Sequence, residues 1–453
     1  MEWTALRERL KSLDAGERRA ALEELAQAWR KGKIPCSSPK PVVNMHCHTF
    51  FSYNGYGYSP SSLAWLAREE GWHALGTVDF DVLDGLEETL QACDLVQVRA
   101  ASGVETRVFL PEFPDWEFNS PGEPGILYYV GMGFTSPQAP PSAARILQDM
   151  RQRAAQRNRE MVARINAYLE PVTIDYDRDV LPLTPSGNAT ERHILIAYDI
   201  AARARFPKRE ELVSFWAQKL GMPTEKVDSF LREEPFPHNE IRAKLMKRGG
   251  VGYMQPGPES FPPLSEVQEA IIASGAIPTY AWLDGLSEGE RHLSELLELL
   301  ISQGMVGLTL IPDRNWNIPD PETRKKKVAE LHKVLAMARE MGLPVLVGTE
   351  MNKPGQRILD DFDAEPLRPY REDFIRGANF IYGHTFLQRA LGLGYWSDWA
   401  KAHLDERRER NAFYTTVGEL AQPGRESIQA LQEAFASPPE PEALLSFLQE
   451  ASK

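Results

Sequence analysis

Residues 42–60 read VVNMHCHTFFSYNGYGYSP. An apolar run ends in two histidines, His46 and His48, one residue apart, and a loop rich in Gly, Tyr and Ser follows. The chain holds only nine histidines in 453 residues, so two at one strand exit ask for a reason. In a strand, residues two apart share a face. His46 and His48 therefore project together, with Cys47 turned away. At the C-terminal end of a barrel strand that face looks into the mouth, where active sites lie. Two neutral imidazoles side by side bind a divalent metal well.

Outward from this stretch, short apolar runs alternate with helical patterns. The runs at 42–46, 73–80, 95–109, 126–134, 275–283, 305–311, 344–349 and 378–383 read as strands. Segments 59–71, 264–275 and 321–342 read as helices between them. Strand then helix, repeated, marks a parallel sheet covered on both faces. Seven or eight such units predict a closed α/β barrel, with an open doubly wound sheet as the alternative. From about 140 to 250 the rhythm breaks into nearly continuous helix. The expected organisation is a helical N-terminal extension (1–40), a first barrel part (41–140), a helical insertion (141–248), a second barrel part (249–396) and a helical C-terminal extension (397–453).

Composition narrows the function classes. Hydrophobic residues make up 42% and charged residues 25%, as in an ordinary globular protein. A net charge of −13 argues against duplex nucleic acid as the main partner, because phosphate binding needs clustered Lys and Arg. The run Arg324-Lys325-Lys326-Lys327 sits in a helical pattern and reads as a solvated face. Three sparse cysteines, Cys36, Cys47 and Cys93, give no disulfide framework, so a cytoplasmic location is expected. The N-terminus lacks the apolar core of a signal peptide, and no run approaches a membrane span.

Acidic groups recur at the other strand exits. GTVDFDVLDG brings Asp79 and Asp81, SGVETRV places Glu105 within a strand, and GTEMN offers Glu350 and Asn352 two apart. Asp81 and Asp84 also suit helix caps. Imidazoles and carboxylates at the ends of several strands are how a barrel builds a metal site.

NMHCHTFFSYNGYGYSPSSLAWLAREEGWHALGTVDFDVLDG followed by SGVE resembles the opening of the polymerase-and-histidinol-phosphatase (PHP) superfamily. The likeness is good over about 41–110, fair over 270–285 and 343–356, and absent over 1–40 and 140–250. It implies a distorted seven-stranded TIM-like barrel and a metal-dependent phosphoesterase with divalent ions at the strand ends. His46, His48, Glu105 and Asp79 match the family's positions, and Glu350 would replace the Asp of its last motif. Phe80 and Trp282 stand where the family has histidines, and Asn352 replaces another. One or two ions (zinc, manganese or iron) are therefore expected rather than three.

Other residues are expected to complete the mouth. His384 follows the apolar run 378–383. His193 lies near the start of a helix that Thr190 is placed to cap. With Asp284, these are the candidates for proton transfer. Arg314 and Asn315, in PDRNWN, and Asn352 and Lys353, in EMNKPG, are the candidates for holding an anionic substrate. The expected function is a metal-dependent hydrolase, a phosphoesterase acting on a small polar anionic molecule through a metal-activated water. Two alternatives stay open: an amidohydrolase-like or sugar/uronate isomerase-like metalloenzyme, and a non-catalytic ligand-binding protein with a degenerate site. The insertion is read as a lid, and as a surface through which a homo-oligomer could form.

Overall fold

The computed structural model describes residues 2–232 and 238–452; His238, whose helical or loop surroundings in the sequence mark it as a structural histidine, falls outside the described side chains. Seven strands form one mixed sheet in sequence order: β1 (Val43–Cys47), β2 (Ala74–Phe80), β3 (Arg99–Phe109), β4 (Ile126–Met132), β5 (Ile277–Trp282), β6 (Gly307–Leu310) and β7 (Val345–Val347). β1, β6 and β7 are buried at every residue, which is why they read as plain apolar runs. The ladder closes where β7 runs on to Glu350. Its N–H donates to the His46 carbonyl (2.8 Å) and its carbonyl accepts from the His48 N–H (2.8 Å). The result is an α/β barrel-like fold with helical extensions.

Two expectations are corrected here. First, the sheet is not all parallel: β4 pairs antiparallel with both β3 and β5. The segment joining β3 to β4, PEFPDWEFNSPGEPG, contains no helix. Without a crossover the chain can only turn back on itself. Second, residues 378–383 are not a strand but the middle of the helix Arg371–Leu391. That helix is buried without a break from Gly377 to Leu387, so it carries no polar stripe to reveal its period. Gly383 and Gly418 let it approach the helix Arg407–Leu420 closely. A Cβ on Gly383 would lie 2.0 Å from the Tyr414 carbonyl oxygen.

The C-terminal helices close the bottom of the barrel, where the parallel strands begin. His73 and Arg99, at the starts of β2 and β3, bond to Asn379 and to the Gly418 carbonyl. Trp396 donates to the carbonyl of Ala276, just before β5 (2.8 Å). At the N-terminus two helices, Glu2–Arg9 and Ala15–Arg30, meet at Asp14, which caps the second by accepting from the Glu17 N–H (2.7 Å). Between β4 and β5, helices including Pro141–Leu169, Glu191–Arg205 and Arg209–Leu220 build a second apolar cluster around Ile165, Tyr198 and Trp216. Among the described residues, no helix is long and apolar enough to cross a membrane.

The Gly383 contact yields a test of packing. Gly383→Val should destabilise the fold by about 3 kcal/mol, because neither helix backbone can yield to the added branch. Urea unfolding reads this directly; an unchanged midpoint would show that the two helices are not packed this closely.

Candidate metal centre

β1 carries a register shift between Asn44 and Cys47. Beyond it His46 and His48 point into the barrel, while Cys47 pairs with Thr77 on the other face. Gly348 makes room for this strand end: a Cβ there would lie 2.5 Å from His46 Cβ. Glu105 on β3 pairs across from Phe80 of β2, so both face inward. Glu105 Oε2 lies 3.4 Å from His46 Nε2 and 3.1 Å from His48 Nε2. All three side chains are essentially closed to water. Among the described residues, these form the one group of three whose ligand atoms lie within 4.8 Å of one another.

Four atoms in this group lack hydrogen-bond partners: His46 Nδ1, His46 Nε2, His48 Nε2 and Glu105 Oε2. The ring nitrogens approach the carboxylate without the alignment a hydrogen bond requires. Each orphaned buried atom costs about 1–3 kcal/mol, and more for a charged one. A divalent cation would satisfy nitrogen and oxygen together, so two imidazoles and a carboxylate fit it chemically. Burial would raise the Glu105 pKa, but His46 and His48 overcome it and hold the carboxyl well below its usual range. Burial pushes His48 down, and the neighbouring Glu105 carboxylate outweighs that and raises it.

Asp79, expected as a ligand, is placed differently. It faces away from Glu105 and anchors the loop after β1. It accepts from the Thr49 N–H (2.8 Å), the Thr49 hydroxyl (2.7 Å) and the Ser52 hydroxyl (2.6 Å). Ser52 Oγ in turn lies 3.3 Å from His48 Nδ1. Asp79 thus orients the His48 ring through Ser52, as a supporting carboxylate does in metal sites. Phe80 stacks on His48 (centroids 4.3 Å apart, planes at 23°) and offers no ligand. Trp282 is buried with its indole N–H unpartnered. Asn54 also serves the loop: its Nδ2 donates to the His48 carbonyl (2.8 Å), and its Oδ1 accepts from the N–H groups of Tyr56 and Tyr58.

Glu350 lies beside the cluster but outside it. Its carboxylate is ion-paired with Arg314 and accepts from Asn352 Nδ2 (2.8 Å). Glu350 and Met351 both adopt left-handed backbone (φ 61° and 60°), as does Asp81 (φ 60°), which follows β2. Such strain costs about 1–3 kcal/mol per residue and gathers at functional sites. Asn315 is fully buried and donates to the carbonyls of Leu283 (3.1 Å) and Ile311 (3.4 Å), so it holds the loop. Lys353 is exposed at the rim. Asp284 is paired with Lys327 (3.0 Å) and caps a turn at Leu286.

The two histidines expected to move protons stand elsewhere. His384 is at the bottom of the barrel, where Nε2 donates to the Gly133 carbonyl (3.1 Å) and Nδ1 accepts from the Tyr395 N–H (3.0 Å). Both ring nitrogens are used in packing. His193 completes the cap that Thr190 begins, its Nδ1 accepting from the Thr190 N–H (3.1 Å). Its ring meets Tyr53 edge-on at 5.4 Å, near the mouth but apart from the metal-binding group. Burial lowers both histidines to about 4.

Several mouth residues carried no signal in the sequence. Asn188, in the insertion, donates to the carbonyls of Phe51 (3.2 Å) and Phe80 (2.9 Å), pinning the insertion to the mouth. Asp84, read from the sequence as suiting a helix cap, does not cap: Gly85 precedes the helix Leu86–Val96, and Asp84 instead accepts from Ser186 and pairs with Arg151. Arg107 and Tyr128 pair across β3 and β4, next to Glu105 and Val130. A surface cleft lined by Arg68, Trp72, Arg99 and Glu426 lies at the bottom of the barrel and holds none of these groups.

No family model matches the chain, and no curated protein matches it. Among solved structures, the chain is similar to an amidohydrolase from Chromobacterium violaceum with bound sulfate and no metal. That match has 17% identity and a TM-score of 0.47, and covers 74% of this chain and 96% of the other. The chain is also similar to a protein from Bifidobacterium adolescentis assigned as a metal-dependent phosphoesterase. Here identity is 18% and the TM-score 0.43, with 74% of this chain and 98% of the other covered.

One measurement tests the site and a second the packing role of His384. Elemental analysis of the purified chain should find a divalent metal that the double substitution His46→Ala, His48→Ala removes. Asp79→Asn should keep the metal but weaken its binding about 10–100-fold. Full metal retention in the double variant would place the ion elsewhere. The second concerns stability. His384 is held neutral when folded, so its contribution is present above about pH 6.5 and lost as pH falls toward about 4. From about pH 7 to about pH 5 this amounts to about 2 kcal/mol, and His384→Gln should remove that part of the slope. An unchanged slope in urea unfolding would contradict the packing role.

Proposed function

We propose that the chain is a metal-dependent hydrolase acting on an anionic ester, a phosphoester in the first instance. The observation that carries the reading is the set of orphaned atoms on His46, His48 and Glu105. The resemblance of residues 41–110 to PHP domains points the same way. A set of three protein ligands, rather than four, is the pattern of a catalytic rather than a structural site.

His46, His48 and Glu105 would hold the ion, and Asp79 would fix the His48 ring through Ser52. When bound, a divalent ion supplies a water of lowered pKa and polarises a phosphoryl oxygen. Arg314 is placed to bind the substrate's anionic group. Its side chain is 41% accessible, and its partner Glu350 is hydrogen-bonded through its backbone to both histidines of the cluster. Asn352, on the same carboxylate, and Lys353, at the rim, would contribute there. Phe80 and the insertion exclude water from one side of the cluster, which strengthens every charge interaction within it.

The test is a panel of phosphomonoesters, carboxylic esters and amides, with the protein loaded in turn with zinc, manganese or iron. Phosphomonoester turnover is expected, reduced at least about 10²-fold in His46→Ala. Arg314→Met should raise KM about tenfold while metal content stays constant. Equal turnover in His46→Ala, or none with any metal, would refute the reading. Turnover confined to amides would move the protein to the amidohydrolase alternative.

A further inference from the structure

The starts of β2 and β3 open onto a cavity of about 310 Å³ at the bottom of the barrel. Arg99 opens β3 and Glu105 lies six residues further along it, so the cavity and the metal-binding group are about 20 Å apart. Three separate parts of the chain line the cavity. The helix Pro60–Glu70 contributes Arg68, the strand starts contribute His73 and Arg99, and the C-terminal extension contributes Glu426 and Ser427. The volume suits a small molecule.

Both arginines are held in place, yet neither is neutralised. Arg68 lies over the Trp29 ring (4.5 Å) and donates to the Ser37 carbonyl (3.3 Å), while its Nε is closed to water and has no hydrogen-bond partner. Arg99 donates to the carbonyls of Gly418 (3.2 Å) and Glu419 (3.4 Å). Among the described residues, both guanidiniums bond to main-chain carbonyls and to no carboxylate. The acidic groups nearby are engaged or exposed. Glu69 pairs with Arg7, Glu70 accepts from the Trp72 indole (2.9 Å), and Glu419 and Glu426 stand in water. His73 adds no charge, because burial and the charge of Arg99 push it down, and its Nε2 lies 2.7 Å from Asn379 Oδ1. A half-buried cation without a counter-charge is costly until an anion supplies one. The helix Arg425–Ala434 also begins here, and its N-cap, Gly424, has no side chain to satisfy the first N–H groups.

We propose that this cavity binds a small phosphate-bearing molecule, separate from any substrate at the mouth. Arg68 and Arg99 would hold the phosphate, as guanidiniums do in forked hydrogen bonds. Gln97 and Ser427 would bond to it from the edge, and Glu426, the carboxylate of the lining, would oppose it. The cavity spans the barrel and the C-terminal extension, so occupancy would fasten one to the other and stabilise the fold.

The test is inorganic phosphate binding by calorimetry to the full chain stripped of metal with a chelator. Wild type should bind, and phosphate should raise its melting temperature. Gln97→Glu places a competing carboxylate on an exposed side chain of the lining and should weaken binding about tenfold. Arg68→Met, which keeps an apolar contact with Trp29, should weaken it by about the same factor. Glu426→Gln should tighten it several-fold, and Arg314→Met should leave it unchanged. Unaltered urea midpoints for Gln97→Glu and Glu426→Gln would show that these two variants fold. No binding by wild type, or binding at full strength in Gln97→Glu or Arg68→Met, overturns the proposal. Binding that is lost in Arg314→Met and kept in Gln97→Glu also overturns it, because the anion then sits at the mouth.

Discussion

The backbone of Glu350 ties the barrel together and sets the geometry of its mouth. Its N–H and carbonyl bond to the two residues that carry the histidine pair, so closing the sheet and aiming the imidazoles are one event. The same residue and its neighbour Met351 take left-handed backbone, a cost of about 1–3 kcal/mol each. That strain is tolerated because the ladder on both sides over-determines the position. It also turns the Glu350 carboxylate toward Arg314 and away from the histidines. A residue that would naturally be counted as a fourth metal ligand is thereby committed to a guanidinium.

The elements outside the sheet meet the two ends of the barrel differently. The helix Arg371–Leu391 and its partners bond to residues at the strand starts, and they occupy His384 completely. The insertion, in contrast, meets the mouth through polar contacts: Asn188 on two carbonyls, Ser186 and Arg151 on Asp84. Such contacts hold position while leaving charged groups accessible. The mouth is therefore shaped by the barrel and the insertion together, not by the barrel alone.

What the sequence disclosed was local. The period of two that aims His46 and His48 together, the inward Glu105, and the Thr190 cap all depend on a few consecutive residues. What it hid was set by distant partners. Asp79 looks like a ligand until Thr49 and Ser52 claim its oxygens. Residues 378–383 look like a strand because a helix buried on all sides has no polar face. β4 reverses because no helix separates it from β3. Arg107 and Tyr128 are brought together by strand register, which no motif announces.

The central claim is that one divalent cation sits between His46, His48 and Glu105. Diffraction from metal-soaked crystals at the absorption edge of the ion tests it most directly. A single strong anomalous peak is expected within bonding distance of both imidazoles and the Glu105 carboxylate, with Glu350 still paired to Arg314. A peak elsewhere, or none at saturating metal, would contradict it.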